Sequence, residues 1–148
     1  MRSVDVSKET RTQVVKLFLD ANVLFIAAPN PNGKAAFVLE LSQKGRWSVV
    51  SSSFAMEEAR RNLEAKFPDA LVSFDKLLRT VGVVPDIAEK TCPIELPEGD
   101  APIFLSALGA RCSHLLTGDR KDFGRFMNEP KRTSGVVIQT VADFLSKL

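Results

Sequence analysis

Residues 14–20, VVKLFLD, form a short apolar run that is rich in β-branched side chains and stops at an acid, Asp20. This composition is typical of a buried strand, and we predict one over residues 14–19. Asp20 has an ordinary explanation as a turn residue, since Asp-Ala-Asn precedes a helix or loop. A charge directly after a buried run is nevertheless costly to desolvate. Asp20 is therefore the first candidate for a functional carboxylate.

Strand-like and helix-like segments alternate along the rest of the chain. Further strands are predicted over residues 47–50, 81–84 (an edge strand), 114–117 and 136–139, and helices over 34–43, 53–66, 69–79, 101–110 and 140–148. Residues 86–99 are expected to be loop, and GDRKDFG, residues 118–124, a polar turn. This alternation predicts an α/β fold with a central parallel sheet flanked by helices.

The length of 148 residues suits one domain, which we place at residues 14–148, after a polar N-terminal tail at 1–13. A hydrophobic content of 45% excludes a disordered chain. No apolar run approaches the ~18 residues that a membrane helix needs, and the tail lacks the apolar segment of a signal peptide. Cys92 and Cys112 form neither a disulfide framework nor a zinc pattern. We therefore expect a cytoplasmic protein.

Acidic residues recur where the predicted strands end, which is the edge at which open α/β sheets bind ligands. They are Asp20, Glu57 and Glu58 early in the helix after the second strand, Asp100 before the apolar helix, and Asp119 and Asp122 after HLLT. Two unit charges ~5 Å apart repel by about 3 kcal/mol at an effective dielectric of ~20. A divalent cation or retained protons would relieve this repulsion, and all-oxygen ligands favour Mg²⁺ or Mn²⁺ over zinc. Such a site activates water for phosphodiester displacement.

Four segments, LDANVL (19–24), EEARRNL (57–63), GDAPIFLSAL (99–108) and LLTGDRKDFG (115–124), resemble in order and spacing the motifs of PIN-domain ribonucleases. That family includes toxins of type II toxin–antitoxin pairs, and the resemblance covers about residues 15–145. It implies a five-stranded parallel sheet, Mg²⁺ or Mn²⁺, and cleavage of single-stranded RNA that leaves 5′-phosphate and 3′-hydroxyl ends. It also implies an antitoxin partner and a homodimer as possible assemblies. Carried onto this chain, it gives Asp20, Glu58, Asp100 and Asp119 as catalytic metal ligands, with Asp122 as a further ligand.

Two of these acids have competing explanations. At 100° per residue Glu57 shares its helix side with Arg61, an i,i+4 pair typical of a solvated surface, whereas Glu58 lies beside small residues that let it reach inward. We therefore prefer Glu58. Asp100 precedes a helix with Pro102 in its first turn and suits an N-cap, a role compatible with metal binding.

Neighbouring polar residues complete the predicted site. Asn22 is either a polar group that supports the carboxylates or an N-cap, and Thr117 is placed to hydrogen-bond a carboxylate or a phosphate. Asp119 and Asp122 also suit a turn, where Asp is common. His114, the only histidine, lies within a predicted strand and is expected to be structural.

The net charge of +2 predicts no partner, but with four carboxylates committed to a metal the remainder carries 20 − 14 = +6. An acidic site in a basic surface suits a polyanion, and we expect single-stranded or structured RNA as the partner. Solvated surface is the ordinary explanation for Arg120 and Lys121, and because they adjoin the site, RNA-phosphate contact is the alternative. Phe123 and Phe126 are expected to pack in the core, so stacking on bases is not supported.

Two other functions compete. One is a catalytically silent PIN-like module that binds RNA or protein. The other is a phosphatase resembling the haloacid dehalogenase family, because DANV echoes its DxDx[TV] motif. Asn22 stands where that family has its second acid, and the phosphatase leaves Glu58 and Asp100 unexplained.

Overall fold

The computed structural model describes residues 14–87 and 91–148, so the predicted tail at 1–13 lies outside the described residues. Its strands are β1 (Lys16–Leu19), β2 (Ser48–Ser52), β3 (Gly82–Val84), β4 (His114–Leu116) and β5 (Val137–Gln139). They pair in the order β3-β2-β1-β4-β5, and every pairing is parallel. The predicted α/β class with a five-stranded parallel sheet is confirmed, as is the edge position of β3.

Helices flank this sheet. They are α1 (Ala21–Ala27), α2 (Lys34–Gln43), α3 (Ser53–Lys66), α4 (Leu71–Leu78), α5 (Ala101–Gly109), α6 (Arg120–Phe123) and α7 (Val141–Ser146), with 3₁₀ turns at Pro68–Ala70 and Gly124–Phe126. The predicted bounds of α2 and α3 match the structure. Within the described ranges no helix is both long and apolar enough to cross a bilayer.

The polar turn predicted over residues 118–124 is wrong, because most of it is helical. Asp119 accepts a hydrogen bond from the backbone N–H of Asp122 at 2.9 Å, which caps α6 and starts a helical turn that continues into the 3₁₀ turn. The segment after Asp20 is likewise a helix, α1, capped by Asp20 itself. In both places an Asp that suits a turn is a helix cap.

Strand β1 lies at the centre of the sheet, where both of its faces are covered. Leu17, Phe18 and Leu19 are fully buried, which explains the unbroken apolar run that predicts this strand. The chain runs from β1 outward to β2 and β3, then returns to place β4 on the other side of β1. The crevice at the carboxyl ends of β1 and β4 is thus the point where strand order reverses, the usual ligand site of such sheets.

Candidate metal centre

Three carboxylates meet beside this crevice. Asp100, Asp119 and Asp122 each offer an oxygen, and the three oxygens lie within 4.8 Å of one another. An octahedral Mg²⁺ binds oxygens at about 2.1 Å, so opposed ligands stand about 4.2 Å apart. The spacing and the all-oxygen chemistry therefore fit one Mg²⁺ or Mn²⁺. No other three His, Cys, Asp or Glu side chains within residues 14–87 and 91–148 meet as closely.

Asp20 lies next to this group and is held firmly. It is only 5% exposed, and its Oδ1 accepts the backbone N–H of Ala21 at 2.7 Å. Its Oδ2 accepts the Thr117 hydroxyl at 2.8 Å and the Asn22 amide at 3.3 Å. Burial with several donors fixes the direction in which this carboxylate points.

Asn22 and Thr117 connect the ends of β1 and β4. Asn22 donates to the Thr117 hydroxyl oxygen at 3.2 Å and accepts the backbone N–H of Gly118 at 2.7 Å. The Thr117 oxygen also accepts the backbone N–H of Asp119 at 3.1 Å. The N-cap alternative for Asn22 is wrong, because Asp20 caps α1 and Asn22 lies inside that helix. Both side chains thus orient Asp20, and Thr117 also holds the backbone of Asp119.

Two of these carboxylates, Asp20 and Asp100, have a raised pKa. Burial raises the pKa of Asp20 above its usual value, against the hydrogen bonds from Thr117 and Ala21, and the charges of Glu58 and Asp119 raise it further. The pKa of Asp100 rises to about 7, first because of burial, then through a hydrogen bond with Asp122 and the negative charges of Asp119, Asp122 and Asp20. A centre without a cation therefore retains a proton close to neutral pH, and a cation would displace it.

Glu58 lies on the Asp20 side of the centre. Its side chain is half-buried on α3, close enough for its charge to raise the pKa of Asp20, although it does not join the group of three. Glu57 is exposed and pairs with Arg61 at 3.7 Å, the surface arrangement that the helical spacing indicates. Coordination by Glu58 stays a prediction.

The N-cap interpretation of Asp100 is confirmed for its position but not for its side chain. Asp100 occupies the N-cap position of α5, but its backbone is already helical, with φ −98° and ψ −22°, and its side chain makes no capping hydrogen bond. Its carboxyl group lies instead beside those of Asp119 and Asp122, with oxygens within 4.8 Å of one another. The Asp100 side chain thus lies among carboxylates and does not cap the helix, so its oxygens are available to a cation.

The remaining candidates lie around the centre. Arg120 and Lys121 are exposed on α6 between Asp119 and Asp122, while Phe123 and Phe126 are buried. His114 lies at the start of β4, the end opposite the acids, with its ring against Phe144 at 5.1 Å. Burial lowers the pKa of His114, which favours its neutral form, and the ring packs in the fold as expected.

One exposed aromatic residue beside the centre escapes sequence reasoning. Phe54 lies in the first turn of α3, four residues before Glu58 and therefore on the same helix face. The i,i+4 spacing to Glu58 is the signal that could have found it.

Comparisons with known proteins support the fold. No protein-family model matches the sequence, and no curated protein matches it. Solved structures do match: VapBC2 from Rickettsia felis, bound to a DNA fragment from its promoter, at 16% identity over 85% of this chain and 98% of that chain, with a TM-score of 0.61. VapBC-1 from nontypeable Haemophilus influenzae matches at 14% identity, over 86% and 99%, with a TM-score of 0.54. FitAB bound to an IR36 DNA fragment matches at 16%, over 84% and 94%, with a TM-score of 0.52.

These likenesses establish the architecture. The chain has the PIN-like α/β fold that its motifs predict, across nearly the whole of each matched chain. Identities of 14–16% establish the fold alone, and the chemistry is argued from the centre itself.

Thr117→Val removes the hydroxyl group at the middle of this network while keeping its shape. We expect unfolding at pH 8 to become easier by about 1.5–3 kcal/mol, since a buried carboxylate loses a donor, and Mn²⁺ affinity to fall. Thr133→Val is the matched control, because the buried Thr133 hydroxyl donates to backbone carbonyl oxygens only, of Glu129 and Val136. Thermal unfolding of both variants measures the change in stability, and Mn²⁺ titration measures the change in affinity. If Thr117→Val binds Mn²⁺ with wild-type affinity, Thr117 has no role in holding the centre.

Proposed function

We propose that this protein is a cytoplasmic, metal-dependent endoribonuclease that hydrolyses single-stranded RNA and serves as the toxin of a toxin–antitoxin pair. The observation that carries the proposal is the meeting of the Asp100, Asp119 and Asp122 carboxylates at the strand-order reversal. The matched structures are toxin–antitoxin complexes, which supports the proposal that this chain is a toxin nuclease.

The acids of the centre would hold Mg²⁺ or Mn²⁺. Asp100, Asp119 and Asp122 supply the closest oxygens, and Asp20 and Glu58 complete the ligand set from the side of β1. When bound, such a cation supplies Lewis-acid stabilisation of the charge that develops on a phosphodiester during in-line displacement. The pKa of Asp100, about 7, means that the deprotonated ligand set is more populated above neutral pH.

Other residues of the chain position the metal-binding carboxylates and attract the RNA phosphates. Thr117 and Asn22 hold the Asp20 carboxylate in one orientation, so it needs no rearrangement during the reaction. Arg120 and Lys121, exposed beside Asp119, offer cations to the phosphates flanking the scissile bond. The neutral His114 lies at the wrong end of β4 to act as a base at this centre.

Arg120→Ala is expected to weaken RNA binding and to reduce the slope of log affinity against log salt by about 0.7, one phosphate contact on a single strand. Arg79→Ala, an exposed arginine just after α4, is the control. Fluorescence anisotropy with a labelled oligonucleotide across a salt series measures both slopes. An unchanged slope in Arg120→Ala would show that Arg120 makes no phosphate contact and is an ordinary surface charge.

An antitoxin partner is the second part of the proposal. A groove of about 620 Å³ beside Asp119 is lined largely by apolar side chains of α1, α2 and α7, among them Val23, Ile26 and Val141. Ile26 is half exposed there, a suitable seat for an apolar anchor of the antitoxin. Expression of the wild type is expected to arrest growth, and co-expression of a small protein encoded beside this gene should relieve that arrest. Failure of the same small protein to relieve the arrest caused by Ile26→Glu would support the antitoxin seat at this groove. A homodimer is tested by light scattering.

The experiment for the nuclease itself is cleavage of end-labelled single-stranded RNA in Mn²⁺, Mg²⁺ and EDTA. Cuts that need metal and leave 5′-phosphate ends are expected. RNA binding without cleavage in any metal would favour the catalytically silent module. Hydrolysis of a generic phosphomonoester with RNA untouched would favour the phosphatase, which the engagement of Asn22 with Asp20, Thr117 and Gly118 already opposes.

A further inference from the structure

A second groove opens where α3 and α5 begin. It has a volume of about 390 Å³ and is lined by Ser53, Phe54, Glu57, Asp86 and Pro102, a size within the range of small-molecule sites. The Phe54 ring is 40% exposed there. We propose that this base groove binds one nucleobase of the substrate RNA, stacked on Phe54, and favours guanine. The inference rests on the proposed function and adds its sequence preference.

The groove adjoins the metal centre through both helices that form it. Phe54 and Glu58 are an i,i+4 pair on α3, whose Cβ atoms lie about 5–6 Å apart in a helix. Pro102 follows Asp100 by two residues at the start of α5. A base in the groove would thus belong to a nucleotide next to the scissile phosphate.

The lining chemistry selects a base over a phosphate. The Phe54 ring offers an aromatic face for stacking, and bases stack well on such faces whatever their sequence. Glu57, paired with Arg61 at 3.7 Å, and Asp86 are both exposed carboxylates at the rim, so the groove offers hydrogen-bond acceptors that suit a neutral group with donors better than a phosphate.

The carboxylates of Glu57 and Asp86 also favour guanine over uracil. A carboxylate only accepts hydrogen bonds, and guanine presents two adjacent donors, N1–H and the N2 amino group, to such a pair of oxygens. Uracil presents a single N–H between two carbonyl oxygens, which a carboxylate repels. Discrimination therefore comes from an added attraction for guanine together with a penalty against uracil.

The walls of the groove are tied together. The backbone N–H of Phe54 donates to Asp86 Oδ1 at 3.2 Å, which holds that carboxylate beside the ring. The backbone N–H of Ile87 donates to the Ser106 hydroxyl at 3.3 Å and anchors the segment to α5. A preformed groove loses little freedom when a base enters.

The test uses the full-length protein, guanosine 5′-monophosphate and uridine 5′-monophosphate as probes, and amide NMR shifts as the readout. Guanosine 5′-monophosphate in metal-free buffer is expected to shift the amides of Ser53, Phe54 and Ala101, with uridine 5′-monophosphate at least several-fold weaker. Phe54→Ala should lose these shifts and bind RNA about tenfold to a hundredfold more weakly. Phe54→Tyr should keep both, and Phe37→Ala, which removes an equally exposed ring on α2, should change neither.

Cleavage mapping on RNA of mixed sequence supplies the second arm. Cuts should cluster beside guanine in the wild type, and the preference should relax in Phe54→Ala. RNA cut with the same preference in both proteins, or mononucleotide shifts that survive in Phe54→Ala, would overturn the base groove while leaving the nuclease intact. Guanosine 5′-monophosphate bound at Phe54 with no RNA cleaved in any metal would support the groove and sink the nuclease.

Discussion

Asp119→Asn is expected to lower metal-dependent RNA cleavage by about a hundredfold to a thousandfold, a loss typical of removing one preorganised electrostatic group from a catalytic centre. Asp119 belongs to the group of three carboxylates, and its charge also acts on Asp20 and Asp100. An amide carries no charge and ligates Mg²⁺ or Mn²⁺ weakly. Initial rates on end-labelled single-stranded RNA in Mn²⁺ measure the effect.

The substitution is chosen so that the fold survives. An Asn side chain still offers a carbonyl oxygen to the backbone N–H of Asp122, so α6 keeps its cap. Asp69→Asn, in the exposed 3₁₀ turn before α4, is the matched control and should cleave at the wild-type rate. Equal rates for wild type and a folded Asp119→Asn would contradict the assignment of this centre.

The metal-free protein is expected to lose stability as the pH rises from about 4 to about 7. The pKa of Asp100 is raised in the folded state from 3.8 to about 7, so between these values the folded chain binds more protons than the unfolded chain. Stability therefore falls with increasing pH over this window. Thermal unfolding in EDTA at pH 5 and pH 8 measures the change, and a higher Tm at pH 5 is the expected sign.

Asp100→Asn isolates this contribution. It should raise Tm at pH 8, where it removes an ionised group from a repulsive cluster, and change it little at pH 5. The lowered pKa of His114 has the opposite sign but is common to both proteins, so their difference reports Asp100. A Tm unchanged or lower in Asp100→Asn at pH 8 would contradict a repulsive cluster.

Local signals predicted most of the fold. The apolar run before Asp20 gives β1 because a central parallel strand is buried on both faces. The bounds of α3 follow from Ser52, whose hydroxyl oxygen accepts the backbone N–H of Ala55, and from Pro68 beyond its end. These signals act over a few residues, and the sequence displays them directly.

The centre could be predicted only as a set of candidates. Strand ends indicate which acids reach one edge, but the close meeting of Asp100, Asp119 and Asp122 depends on where β4 places the start of α6 relative to the start of α5. The same dependence explains why the sequence leaves both a capping and a metal role open for Asp100, whose side chain makes no capping hydrogen bond and lies beside Asp119 and Asp122. The base groove was missed because Phe54 and Pro102 are brought together only by the packed sheet.

The central claim is that these carboxylates form a cation centre, and calorimetric titration of Mn²⁺ into the metal-free protein at pH 8 tests it most directly. Wild type is expected to bind Mn²⁺ with release of protons, since a ligand with a pKa of about 7 must lose its proton. Asp119→Asn should bind at least tenfold more weakly, and Asp69→Asn should bind as wild type does. No Mn²⁺ binding by the wild type, or equal binding by Asp119→Asn, would contradict the metal centre and the nuclease built on it.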